Sequence, residues 1–167
     1  MDRQQILLAK TLEAARIPLS VRSFDERLIL QKAIYLLQSA GISIGYRFRW
    51  YLRGPYSTDA TAGAFGIVNE GEPAKEELRN WELDESSSAI AAKLQSLLRR
   101  EGEPLAKQAS RLELLASILF LYKTGQAKPN DPDATSRILK KNAKPFGPEE
   151  VKSATKELRD HGLLAQT

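Results

Sequence analysis

Apolar residues recur along this chain at helical spacing in most windows and with a period of two in one window only. Ile6, Leu7, Ala9, Leu12 and Ala15 predict a first helix over 2–16, closed by Pro18. Ser23-Phe24-Asp25-Glu26 reads as a capping box, in which Ser23 accepts from the amide of Glu26 while the Glu26 side chain reaches back. Leu28, Leu30, Ile34, Leu36 and Leu37 carry the helix that follows to a stop at Gly41. Ser57 is placed to cap a third helix to about Val68, weakened by Gly63 and Gly66 and ended by Gly71. Residues 72–85 predict a short helix and a brief extended piece, and Ser86 to Ser88 cap a helix to about Arg100. Beyond Gly102 and Pro104, Ser110-Arg111-Leu112-Glu113 reads as another capping box that opens a buried helix through Leu121. Asp133 is placed to cap a helix to about Lys141, and Gly147-Pro148 opens a last helix that Gly162 ends.

The window with a period of two is Tyr46 to Leu52. In a strand, Tyr46, Phe48, Trp50 and Leu52 point to one side and Arg47, Arg49 and Tyr51 to the other, with Arg53 following on the outward side. Gly54-Pro55 then forces a turn. The expected fold is mainly α: a compact helical domain with a short β element near 46–52. An N-terminal helical lobe, 1–103, packs as one unit with a C-terminal tri-helical, helix-turn-helix-like lobe, 104–167.

Composition narrows the chemistry. At 167 residues with 42% hydrophobic content the chain is long enough to build a core without staples. It has no cysteine and one histidine, so thiolate chemistry, zinc knuckles and disulfides are excluded and no cofactor or metal is expected. No basic-then-apolar leader opens the chain and no apolar run approaches membrane length, which points to a soluble, cytoplasmic protein. The net charge of +4 is unevenly spread. Residues 1–53 carry nine Lys/Arg against four Asp/Glu, residues 70–103 five against nine, and residues 104–167 eleven against seven. Two basic segments therefore flank an acidic one, which fits either nucleic-acid attraction or charge-complementary docking to a protein, while the modest total argues against non-specific coating of DNA.

Arg47, Arg49 and Arg53 with Tyr51 and Tyr56 make the first candidate site. Like charges at alternate strand positions repel, a cost explained by a carboxylate-bearing or anionic partner, and tyrosine supplies contact area at low entropic cost. The competing structural reading pairs these arginines with the acidic stretch 70–85 of the same chain. A second site is the basic cluster Arg137, Lys140, Lys141 and Lys144 inside a helix-turn-helix layout, which makes nucleic-acid contact a rival function. Against it, the last helix mixes Lys152, Lys156 and Arg159 with Glu149, Glu150, Glu157 and Asp160, and too little chain follows for a wing. His161 sits in a final helical turn, where it serves as a C-terminal partner of the dipole rather than a catalytic base. No phosphate loop, nucleophile elbow or metalloprotease motif is present.

Leu30-Gln31-Lys32-Ala33-Ile34-Tyr35-Leu36-Leu37, followed by Phe48-x-Trp50-x-Leu52-x-Gly54-Pro55-Tyr56-Ser57, resembles the signature of the SocA-like Panacea domain and related bacterial proteins. The match spans residues 24–60, with Arg53 where that signature has tyrosine. The resemblance implies a mostly helical, non-enzymatic antitoxin or adaptor whose partner is a protein, often a toxin encoded nearby. Gln31, Lys32, Tyr35, Trp50, Gly54, Pro55 and Ser57 are then motif positions, with Gln31 and Lys32 either holding the Gly54-Pro55 turn or extending the arginine face.

Overall fold

In a computed structural model that describes residues 1–166, the chain is mainly helical. Eight helices occur among the described residues: α1 Arg3–Ala14, α2 Phe24–Ser39, α3 Thr58–Glu70, α4 Glu72–Leu78, α5 Glu85–Leu98, α6 Leu105–Lys123, α7 Pro132–Lys141 and α8 Pro148–Asp160. A two-stranded antiparallel hairpin, β1 Arg49–Tyr51 and β2 Gly54–Tyr56, lies between α2 and α3. No helix among the described residues is long and apolar enough to cross a membrane.

Local signals account for most boundaries. Ser23 and Glu26 form the reciprocal cap expected of them, Ser57 accepts from the amide of Ala60, and Pro148 opens α8. Three expected caps move. Asp84, not the serines after it, caps α5, and Asp131, not Asp133, caps α7. In both cases an aspartate two residues or more upstream of the expected cap accepts from the amide three residues on, that of Ser87 for Asp84 and of Ala134 for Asp131. The third shift matters more. Helix α6 starts at Leu105, so Ser110 to Glu113 lie inside it and Glu113 is buried instead of capping. Pro104 sets the entry to that helix, because its fixed φ suits the residue before a first turn.

The centre of the molecule is the long contact between α2 and α6. Leu36, Leu37, Leu115 and Ile118 are completely buried, each worth about 2 kcal/mol of apolar transfer. Helix α6 also packs on α8, and α8 on α7. It thus belongs at once to the core of the N-terminal segment and to the C-terminal helices, and one hydrophobic cluster runs through both. Tyr46 uses a space that Gly63 of α3 leaves open: a β-carbon there would lie 2.7 Å from the tyrosine hydroxyl. The glycine that weakens α3 as a helix is what admits the aromatic ring.

Candidate functional site

The alternation of buried and exposed side chains begins earlier than the sequence suggests, at Ile42 and Ile44, and continues through Tyr46, Phe48 and Trp50. Arg47, Arg49 and Tyr51 face outward as expected. Two expectations are corrected. Only 49–51 of the expected strand pairs with a neighbour, and the chain reverses at Leu52-Arg53, so Gly54 and Pro55 begin the return strand. Leu52 is consequently at the tip and 78% exposed, not packed inward. The reversal is completed at Gly54 with φ +89°, the left-handed residue that such hairpin turns require.

Helix α2 grips this segment at both ends. Gln38 donates to the carbonyl of Tyr46 at 2.8 Å and accepts from its amide at 2.9 Å. One heptad earlier, Gln31 donates to the carbonyl of Ser57 at 2.7 Å and accepts from the Ser57 amide at 2.9 Å. Residues seven apart share a helix face, so two side-chain amides replace the strand partner that residues 46 and 57 lack. Between them Lys32 donates to the Pro55 carbonyl at 2.7 Å. The Gln31-Lys32 pair therefore holds the hairpin and does not extend the arginine face. Tyr35, also on α2, meets Phe48 edge-on at 5.2 Å between ring centroids, and burial pushes its hydroxyl up to about 12.

The hairpin's underside rests on buried charge. Lys32 is 0%, Lys144 1% and Glu113 4% exposed. Lys144 donates to the Leu52 carbonyl at 2.6 Å, lies 5.4 Å from the Trp50 ring centroid, and sits 3.8 Å from the Glu113 carboxylate. Arg53 approaches the same carboxylate at 3.5 Å. Burial drives Lys32 down to about 7, with Lys144 and Arg53 pushing the same way and Glu113 opposing. Burial also lowers Lys144. Ser117 Oγ, buried without a partner, lies where a β-carbon on Gly54 would collide at 2.3 Å. Lys144 is thereby removed from the candidate nucleic-acid contacts: its ammonium is spent beneath the hairpin. Arg137, Lys140 and Lys141 of α7 stay exposed.

The opposite side of the hairpin is open. Arg49 pairs with Tyr56 across the strands, and Tyr51 stacks near Tyr56 at 5.5 Å, so these three side chains share one face. Arg53 lies over the ring of Phe24 at 5.5 Å, and Phe24, Tyr51 and Leu52 are all more than half exposed. Trp50 turns the other way and donates to Asn142 at 3.3 Å, which seats the hairpin against the end of α7. Among the described residues no ion pair joins Arg47, Arg49 or Arg53 to 70–85; there Glu72 pairs with Lys75, and Glu77 lies 3.3 Å from the amino group of Met1. The pairing expected with 70–85 is not made, and of the three arginines Arg53 alone meets a carboxylate of the described residues, that of Glu113.

Compared with family models, curated proteins and solved structures, the chain matches none. The site is accordingly read from its own geometry. That geometry adds residues the sequence left unmarked. Gln38 and Phe24 carry no motif signal of their own, and Glu113 was disguised as a cap; its one visible oddity is a carboxylate set among Leu112, Leu114 and Leu115. His161 bonds Ser96 at 3.1 Å and the Glu157 carbonyl at 2.9 Å, as a helix-terminal residue does. An open groove of about 800 Å³ between the α1–α2 loop and the α5–α6 turn is lined in part by Gln95 and Gln108, which donate to the carbonyls of Ala14 at 2.7 Å and Leu98 at 2.9 Å.

Proposed function

We propose that the protein is a non-enzymatic binding module, antitoxin-like or adaptor-like, that docks a partner protein on the outward face of the hairpin. Arg47, Arg49, Tyr51, Arg53 and Tyr56 make the contact, with Leu52 and Phe24 added from the structure. The observation that supports this reading most is the contrast across the hairpin: a rigid underside, tied by buried hydrogen bonds, and an upper side that leaves large apolar groups in water. A pre-ordered anchor loses little entropy on association, and aromatic and arginine side chains are those that dominate interface energies. The resemblance of residues 24–60 to Panacea domains agrees with this reading, since the motif positions build the hairpin's support.

The experiment is association with the product of the neighbouring open reading frame, measured by co-purification and calorimetry. Arg49→Glu with Tyr51→Ala should weaken it at least tenfold while leaving the helical circular dichroism unchanged. Undiminished binding by that double variant defeats the proposal. A second reading, a DNA-binding regulator, rests on Arg137, Lys140 and Lys141 standing exposed at one end of α7. On α8, however, Lys156 is paired with Asp160 and Glu157 with Arg100, which leaves little net field for a groove. Duplex binding that falls steeply with added salt would favour this second reading.

A further inference from the structure

Under the hairpin, three cations share one carboxylate. Lys32, Lys144 and Arg53 converge on Glu113, and with every group charged the cluster holds two more positive than negative charges. The carbonyls of Pro55 and Leu52 accept from the two lysines and offset part of this, but a carbonyl dipole is not a countercharge. Ser117 adds a buried hydroxyl with no partner beside them. Of the four charged side chains only Arg53 reaches water, at 59% exposure, and it does so among Phe24, Tyr51 and Leu52. An incoming negative charge can meet the cluster at that point and no other.

Resting on the hairpin-docking reading above, we propose that the tip takes an acidic, apolar segment of the partner protein, one carboxylate of which sits on Arg53 and supplies the charge the buried cluster lacks. A planar guanidinium offers a carboxylate two parallel hydrogen bonds, and the flanking Leu52 and Phe24 surfaces take the apolar side chains next to it. The apolar tip favours a protein segment over a phosphate backbone, since Leu52 and Phe24 gain nothing from a charged phosphate but can bury area against apolar side chains.

Docking is then coupled to a proton. Lys32 is faced by Glu113 from α6, by Lys144 from the α7–α8 loop and by Arg53 from the hairpin, and burial holds it near 7. A carboxylate arriving at Arg53 favours the charged ammonium, so the bound state holds more protons than the free state around neutrality. Affinity therefore falls as pH rises through the range in which free Lys32 loses its proton.

The test is an NMR titration of the full chain with an acetylated, amidated hexapeptide of alternating glutamate and leucine, with its glutamine counterpart and a short DNA duplex as controls. Saturable shifts at millimolar peptide should appear at the Arg53 Nε and at residues 51–53, and Arg53→Gln should weaken binding about tenfold. Binding should be roughly threefold to tenfold weaker at pH 8.5 than at pH 6, and Lys32→Gln, which keeps a donor for Pro55, should flatten that dependence without abolishing binding. Absence of shifts, equal binding of the glutamine peptide, or stronger shifts with the duplex overturns the proposal. So do hairpin shifts on simple concentration of the protein, which would make a second copy the occupant. Binding of a native partner that depends on Tyr51 and Leu52 but not on Arg53 or pH would remove this inference and leave the docking face standing.

Discussion

Lys32, Lys144 and Glu113 beneath the hairpin and the pairs Lys75–Glu72 and Lys156–Asp160 on the helix surfaces use the same two functional groups for opposite ends. The surface pairs span one helical turn, both partners are at least half exposed, and water competes for every contact. The buried set has no such competitor, so each charge must be answered by protein atoms, and the answers are the backbone carbonyls that define the hairpin. Depth, not residue type, decides whether a lysine decorates a surface or holds a turn in place. A corollary is that the exposed tip is held in place by groups buried beneath it.

Loss of the shared Glu113 carboxylate should separate the buried set from the surface pairs most. Glu113→Ala should cost about 3–5 kcal/mol in chemical denaturation, because two buried ammonium groups lose their countercharge, whereas Glu72→Ala should leave the midpoint within error. Gly54→Ala comes next, at about 2–3 kcal/mol, since alanine must adopt φ +89° and drive its methyl into Ser117 Oγ. Adding Ser117→Ala should recover the steric part and leave the backbone part.

A pH titration of stability sharpens the contrast. With the folded-state value of Lys32 near 7 and the unfolded one near that of free lysine, the unfolded chain holds more protons above pH 7, so stability attributable to Lys32 rises with pH. Wild type should gain about 2 kcal/mol between pH 7 and 9 relative to Lys32→Met, read from urea unfolding at each pH. A flat profile would place the ammonium in water, and the opposite slope would mean that Glu113 holds it charged against the cost of burial. The smallest effect belongs to the tip: Tyr51→Ala and Leu52→Ala should each change stability by less than about 0.5 kcal/mol, as checked by thermal unfolding, while costing partner affinity.

Much of this arrangement was legible in the chain. The Ser23–Glu26 box, the cap at Ser57 and the period of two over Tyr46 to Trp50 are local signals, each carried by backbone geometry within a few residues. Where expectation failed, a distant partner had overridden a local rule. Ser110 to Glu113 has the spacing of a cap, but Pro104 starts the helix earlier and α2 covers the glutamate. Lys144 sits in a basic cluster by sequence, yet the hairpin more than eighty residues away closes over it. Leu52 fits the alternation, yet the chain turns on it.

Helix content and the outward arginines were determined by sequence alone, because periodicity, caps and φ preferences act over short range. Which charges are buried, and that residues from α2, the hairpin, α6 and the α7–α8 loop meet in one cluster, was decided only by tertiary packing. Desolvation depends on what lies above a side chain, and in this fold that neighbour comes from the far end of the chain.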